Sequence, residues 1–244
     1  MFNALGEYLL LMFQVFRKPD KRKIFRKQLF LEFQNLGIDS LGIVAIISAF
    51  MGGIVAIQTA YNIDSPLIPL TMVGFTTRQS LILEFSPTII SLILAGKVGS
   101  RIASEIGTMQ ITEQIDALKV MGVNTANYLI FPKVVASLLI NPVLIIFSIV
   151  VGLFGGWLAC VFTGLVTSQD YILGIRYWFE GFIVFYALIK TIVFAFIIAS
   201  VSGYQGYFTK GGALDVGRSS TKAVVYSSIL ILIFDLILTQ MLLT

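Results

Sequence analysis

Long apolar runs, separated by short polar and basic segments, dominate the pattern of this chain. Five runs can cross a hydrocarbon core of about 30 Å as helices. They cover residues 38–60, 79–96, part of 134–169, 181–202 and 223–243. The 134–169 run is long for one helix and short for a hairpin of two, and Asn141-Pro142 interrupts it. We expect one long span there, kinked or straight, plus an interfacial end. The pattern predicts an all-α integral membrane protein with five transmembrane helices.

The N-terminal apolar stretch, residues 2–16, is shorter than the five runs and precedes its basic residues instead of following them. A secretory signal has the opposite order. We therefore predict an interfacial helix anchored to anionic headgroups, with residues 1–35 as an interfacial or elbow helix plus basic cytoplasmic segment. Residues 36–244 then form the membrane domain. A first transmembrane helix at residues 2–16 remains the alternative.

Composition supports a membrane class and narrows the chemistry. Hydrophobic residues make up 57% of the 244 residues and charged residues only 12%, against about 25% charged in soluble domains. The chain has no histidine and a single cysteine, Cys160, so it lacks the commonest general base and metal ligand and cannot form an internal disulfide. These features weigh against a histidine-based enzyme.

Basic residues are distributed asymmetrically between the segments that join the runs. With five spans and a cytoplasmic N-terminus, fourteen of the 17 lysines and arginines fall on the inner side. Two, Arg78 and Arg176, fall outside, and Lys190 lies in the membrane. The inner set is Arg17, Lys18, Lys21, Arg22, Lys23, Arg26, Lys27, Lys97, Arg101, Lys119, Lys133, Lys210, Arg218 and Lys222. This bias predicts a cytoplasmic N-terminus and an extracytoplasmic C-terminus.

The segment between the second and third runs has a helical pattern from Thr108 to Met121. Ile111, Ile115 and Leu118 fall on one face of that helix, and polar residues lie on the others. Such a short amphipathic helix on the cytoplasmic side suits docking into a groove of a partner protein. Packing on the membrane or on the chain's own loops explains the pattern equally well.

This segment resembles the signature of the MlaE permease family, the membrane subunits of Mce/Mla-type lipid ABC transporters. The matching residues are Ala95, Gly96, Gly99, Ser100, Glu105, Ile106, Gly107, Met109, Thr112, Glu113, Gln114, Ala117, Leu118, Met121, Gly122, Pro132 and Lys133. Gln58, Glu84, Pro87, Lys190 and Asp235 also match positions of the family. The resemblance covers nearly the whole chain. It departs at Lys97 and Leu83, where arginine is usual, and at Asn124-Thr125, where Asp-Pro is common.

The resemblance implies a permease domain over residues 36–244 that works as a homodimer. A cytoplasmic coupling helix between spans two and three would contact a separate ABC ATPase subunit, which would hold ATP and Mg²⁺. The chain itself has no G-x-x-x-x-G-K-[ST] motif, and no cofactor or metal is expected on it. A periplasmic Mce-domain (MlaD-like) protein would complete the assembly in the bacterial inner membrane, with phospholipid as substrate and no nucleic-acid partner.

The same resemblance implies two groups of site residues. The lipid cavity would involve Glu84, Gln58 and Pro87. The contact with the ATPase would involve Glu105, Met109, Glu113, Gln114, Asp116 and Leu118.

Three charged residues, Glu84, Lys190 and Asp235, lie inside the predicted spans. Ionised groups at that depth are costly and normally pair in the bundle interior. Glu84 and Asp235 are both candidate partners for Lys190. Pairing that fixes helix packing is the expected role of Lys190 and Asp235, whereas we expect Glu84 to line or gate the lipid cavity.

Two other function classes stay open at this point. A stand-alone carrier would move lipid without an ATPase, although the chain shows no inverted repeat of the kind common in carriers. A membrane-embedded lipid enzyme would need a nucleophile, base or metal cluster, and the sequence offers none.

Overall fold

A computed structural model describes residues 2–17, 22–63 and 68–243 of the chain. All regular elements in these ranges are helices, and five helical stretches are long and apolar enough to cross a membrane. They are Lys23–Asn62, Thr71–Ile111, Thr125–Thr163, Gly181–Tyr207 and Ala213–Leu242. The predicted all-α class and the count of five spans are confirmed. Lys18 and Lys21, part of the predicted basic run, lie outside the described residues.

The helices divide into α-helical and π-helical segments. The α-helices are α1 (Phe2–Val15), α2 (Arg22–Glu32), α3 (Asp39–Asn62), α4 (Thr71–Ser80), α5 (Ile90–Leu94), α6 (Ser100–Ile111), α7 (Gln114–Val120), α8 (Thr125–Thr163), α9 (Ser168–Arg176), α10 (Gly181–Tyr207) and α11 (Ala213–Leu243). Segments with π-helical hydrogen bonding at Phe33–Ile38, Leu81–Ile89 and Ala95–Gly99 join α2 to α3, α4 to α5 and α5 to α6.

The spanning helices are longer than the apolar runs that predicted them. The second run covers residues 79–96, but its helix extends over Thr71–Ile111. Helices continue past the apolar region because the polar residues there pair within the chain, as described below. The third run forms one helix, α8, which passes through Asn141-Pro142 without interruption and begins nine residues before the predicted start at residue 134. Residues after it form the separate helix α9.

The chain forms two compact units. Unit 1 comprises Met1–Ser40, Leu92–Asn141 and Ile192–Thr244, and unit 2 comprises Leu41–Ser91 and Pro142–Thr191. In unit 1, Tyr8 of α1 donates a hydrogen bond to Ser200 at 2.9 Å, and Asn127 donates to the carbonyl of Val15 at 2.6 Å. With 14 residues, α1 is about 21 Å long, too short to cross a bilayer core. Its predicted place in the membrane interface stays a prediction.

Unit 2 is held together by a close approach of α3 and α8. A Cβ atom at Gly52 would collide with the carbonyl oxygen of Gly152, and one at Gly155 would collide with the carbonyl of Ala49. Small residues therefore allow the two backbones to touch. Beside this contact, three buried serines form a hydrogen-bonded chain, in which Ser48 Oγ lies 2.8 Å from Ser148 Oγ and Ser148 Oγ lies 3.1 Å from Ser86 Oγ.

Candidate functional site

An ion pair in unit 2 joins two spanning helices. The side chain of Lys190 on α10 is fully buried, and its Nζ lies 2.9 Å from Glu84 Oε1. The same ammonium donates to the carbonyl of Leu83 at 3.3 Å and lies 4.8 Å from the ring centre of Tyr186. The Glu84 side chain is 44% exposed. The pair therefore has a buried cation and a carboxylate that reaches the surface of the unit.

Glu84 lies in the π-helical segment Leu81–Ile89 together with Pro87. Pro87 has no backbone N–H to donate, and its ring disturbs the preceding turn, which favours a departure from regular α-helical bonding. Thr88 Oγ1 donates to Glu84 Oε2 at 3.4 Å, so the carboxylate is held from both sides. The sequence pattern contained Pro87 but did not indicate the π-helix.

The other residues that were predicted to act inside the membrane differ in their exposure. Gln58 is an exposed side chain on α3, and Asp235 is a partly buried side chain on α11. Pro87 is buried. The role of Gln58 and Pro87 in a lipid cavity, and the role of Asp235 in charge pairing, stay predictions.

The predicted continuous helix from Thr108 to Met121 is wrong. Helix α6 ends at Ile111, and α7 begins at Gln114. Between them, Thr112 Oγ1 donates to the carbonyl of Thr108 at 2.8 Å, and Glu113 has a left-handed backbone with φ of 60°. A non-glycine residue at positive φ breaks the helical path, and periodicity alone does not reveal it. We call residues 112–123 the coupling segment.

The apolar face predicted for docking is used inside the chain. Ile115 is completely buried, and Leu118 is partly buried. The outer surface of the coupling segment carries Glu113, Gln114 and Asp116 together with Val120, which is 89% exposed, and Met121, which is 68% exposed. Asp116 also accepts a hydrogen bond from Lys119 at 2.9 Å, which raises the pKa of Lys119. The apolar face therefore packs within the chain, which is the alternative that the pattern left open, and the predicted contact residues Glu113, Gln114 and Asp116 lie on the face that a partner can reach.

Two residues predicted to contact a partner lie on α6 instead. Met109 is partly buried. The Glu105 carboxylate lies 2.8 Å from Lys133 Nζ on α8, and Lys133 also lies 2.5 Å from the carboxylate of Glu32 on α2. Lys133 is 3% exposed, so one buried ammonium joins three helices of unit 1. We call Glu32, Lys133 and Glu105 the ion triad.

A second set of contacts in unit 1 joins the region around α6 to residues at the start of α3. Arg101 on α6 forms a 2.9 Å ion pair with Asp39 and donates to the carbonyl of Asn35 at 3.0 Å. Lys97 donates to the backbone carbonyl of Asp39. The helix that leads into the coupling segment is thus fixed to the beginning of span one.

The sequence pattern did not reveal that two basic residues have structural roles. Lys133 and Arg78 were assigned to segments outside the membrane, and Lys133 also matched the family signature, yet both side chains are buried. A usable signal was present for Lys133, which stands alone within an apolar run that extends from Tyr128 to Leu139. No comparable signal marks Arg78.

Comparison with known proteins agrees with this architecture. The model of the family Permease MlaE matches residues 29–241. A probable ABC transporter permease protein of Rickettsia bellii is 37% identical over 93% of this chain and 86% of its own length. The chloroplastic protein TRIGALACTOSYLDIACYLGLYCEROL 1 of Arabidopsis thaliana is 33% identical over 93% of this chain and 65% of its own length.

A further relative carries a more specific name. The intermembrane phospholipid transport system permease protein MlaE of Haemophilus influenzae is 29% identical over 98% of this chain and 91% of its own length. The family model covers well over half of the chain, and its range includes all five spanning helices but for their outermost residues. The chain therefore belongs to the MlaE permease family of multi-pass membrane permeases.

Proposed function

We propose that this chain is the membrane subunit of an ABC transporter that moves phospholipid between the inner membrane and the periplasm or outer membrane and so maintains lipid asymmetry. Membership in the MlaE permease family and the ABC transporter names of its relatives support this class. The name of the Haemophilus influenzae relative supports phospholipid as the substrate. ATP is hydrolysed by a separate ATPase subunit.

The observation that carries the proposal is the exposed face of the coupling segment. The Ile115 side chain is buried within the chain and holds the segment in place. The exposed side chains are those of Glu113, Gln114, Val120 and Met121. An apolar pair rimmed by acidic and amide groups suits a protein partner better than water alone, because Val120 and Met121 gain from burial. The ATPase binds this outward face.

The lipid path involves the Glu84–Lys190 pair. A buried ammonium next to a partly exposed carboxylate provides a polar point on otherwise apolar helices, which suits a phospholipid headgroup. In the proposed arrangement Gln58 and Pro87 line the same cavity, and two copies of the chain enclose it. A periplasmic Mce-domain protein receives or delivers the lipid. The N-terminus is cytoplasmic and the C-terminus periplasmic.

Reconstitution with the partner ATPase subunit tests the coupling surface. We expect Val120→Asp to weaken retention of the ATPase at least tenfold, because a charge replaces an apolar group at the contact. Glu113→Lys should weaken it as well. Leu214→Asp is the matched control, since Leu214 is 82% exposed but lies on α11. Full retention by Val120→Asp would exclude the coupling segment as the ATPase contact.

The transport assay separates the proposal from its alternative. Labelled phospholipid in proteoliposomes should move only when the ATPase and ATP are both present. If phospholipid moves at the same rate with and without the ATPase, the chain is a stand-alone carrier instead.

A further inference from the structure

The connection between α9 and α10 presents three consecutive aromatic side chains at the surface of unit 2. Tyr177 is 50% exposed, Trp178 is 71% exposed and Phe179 is 58% exposed. Large aromatic groups are rarely left this exposed together, since their burial is strongly favourable. We call the segment from Ser168 to Glu180 the aromatic cap. It presents apolar surface that the described part of the chain leaves uncovered.

A buried arginine holds the aromatic cap in place. Arg78 is 1% exposed, and its guanidinium donates to the carbonyl oxygens of Ile175 at 2.6 Å, Tyr177 at 3.0 Å and Trp178 at 3.2 Å. These carbonyls belong to the last turn of α9 and to the two residues after it, where the helix dipole is negative, and so they complement the cation. No carboxylate among the described residues forms an ion pair with Arg78.

Further contacts make the cap rigid. The Arg78 guanidinium lies 5.1 Å from the ring centre of Phe75 and 5.5 Å from that of Phe179. Helix α9 packs against α4 so closely that a Cβ atom at Gly174 would collide with the carbonyl of Thr71. At the other end of α9, Thr167 accepts a hydrogen bond from the backbone N–H of Asp170. The backbone that carries the exposed rings is thus held in place.

The exposed aromatic rings are continuous with other apolar surface. Leu173 on α9 is 58% exposed, and Phe182 and Phe185 on α10 are 54% and 60% exposed. Helix α10 is a spanning helix that begins at Gly181, so the cap lies within a few residues of the start of a membrane span. Tryptophan and tyrosine prefer the boundary between hydrocarbon and water, where their rings are buried and their polar groups are hydrated.

We propose that the aromatic cap is a membrane-insertion device: its rings lie in the headgroup region of the bilayer, with Trp178 at the acyl boundary, and Arg78 fixes their depth. The occupant of this apolar surface is lipid, because the surface continues onto the exposed phenylalanines Phe182 and Phe185 at the start of a spanning helix. In this arrangement Arg78 acts through the backbone of the cap and does not itself contact lipid.

Tryptophan fluorescence tests the placement directly, since the chain has only Trp157 and Trp178. In Trp157→Phe, Trp178 is the sole reporter. The full-length variant is reconstituted in vesicles of phosphatidylethanolamine and phosphatidylglycerol in which lipids carry bromine near the headgroup or near the chain end. We expect blue-shifted emission, stronger quenching by the shallow bromines than by the deep ones, and weak quenching by aqueous iodide. Strong iodide quenching without quenching by brominated lipid would place the cap in water and overturn the proposal.

The role of Arg78 is tested in the same background. Arg78→Lys keeps the charge but loses the fork that reaches three carbonyls, so we expect iodide quenching of Trp178 to rise at least about twofold. Arg176→Gln, which removes an exposed cation from the same connection, is the control and should leave quenching unchanged. An unchanged Arg78→Lys signal would overturn the positioning role.

A second variant keeps the proposal decidable if Arg78→Lys does not fold. Phe179→Ala leaves the three hydrogen bonds of Arg78 in place and removes one inserted ring. We expect weaker quenching of Trp178 by shallow bromines with little change in thermal unfolding. Unchanged quenching in Phe179→Ala would show that the rings do not insert together, which contradicts the proposal.

Discussion

Replacing Lys133 by methionine perturbs the ion triad that joins α2, α6 and α8 in unit 1. Methionine has a similar length and fills the same space, so the main loss is the charge. The two carboxylates then differ in how well water can solvate them. Glu32 has a side chain only 11% exposed and loses its cation within the protein, whereas Glu105, at 45% exposed, can turn to water.

The expected magnitudes follow from these exposures. Removing one partner of a buried ion pair costs about 3–5 kcal/mol, so Lys133→Met should lower the free energy of unfolding by about that amount. Glu32→Gln should lower the free energy of unfolding somewhat less, because Lys133 still forms an ion pair with Glu105. Glu105→Gln should cost only about 0.5–1 kcal/mol, as exposed pairs contribute little. In the double variant Lys133→Met, Glu32→Gln, no buried charge is left unpaired, and we expect a loss of about 1–2 kcal/mol.

Equilibrium unfolding of the purified protein in detergent micelles measures these four variants, of which Lys133→Met, Glu32→Gln and their double variant form a double-mutant cycle with the unchanged protein. Lys119→Met is the matched control, because its ion pair with Asp116 lies on the surface. It should change the free energy of unfolding by less than about 0.5 kcal/mol. A loss below about 1 kcal/mol for Lys133→Met, or equal losses for Glu32→Gln and Glu105→Gln, would refute the account of the ion triad.

Three further predictions concern unit 2. Gly52→Ala should destabilise the protein by about 1–3 kcal/mol, because the new methyl group meets the backbone of Gly152, whereas Gly42→Ala on the same helix has open space and should be neutral or stabilising in the same unfolding assay. Glu84→Ala should reduce ATP-dependent lipid transfer by at least about tenfold while ATPase binding is kept. It should also lower the free energy of unfolding more than Lys190→Met, because it removes the carboxylate from a fully buried ammonium, whereas Lys190→Met leaves a Glu84 carboxylate that is 44% exposed and can be hydrated. Normal transfer in assembled Glu84→Ala transporter would remove Glu84 from the lipid path.

The number of spans could be predicted from sequence, but their ends could not. Hydropathy identifies the part of a helix that lies in hydrocarbon, and it located residues 79–96 within the longer helix Thr71–Ile111. The extra turns depend on polar contacts such as Arg101 with Asp39, which are 62 residues apart. A local pattern contains no information about a partner at that separation.

The same limit applies to the candidate sites. The pattern identified Glu84 and Lys190 as charges that need partners, and the structure places them in contact. It identified the apolar residues around Ile115 but did not decide between docking on a partner and packing within the chain. It also missed the left-handed residue at Glu113 that separates α7 from α6. A residue that leaves the helical path has no signature in hydrophobic periodicity.

The π-helical segment Ala95–Gly99 has a consequence for the rotational phase of α6. A π-helical turn holds about one residue more than an α-helical turn, so these five residues rotate the chain by about as much as four α-helical residues. If the segment formed a regular α-helix at unchanged length, α6 would be rotated by one residue step, about 100°, and Arg101 and Glu105 would face away from Asp39 and Lys133. The wide turn therefore sets which face of α6 meets its partners, and deletion of one residue that restores α-helical bonding should be tolerated better than insertion of one.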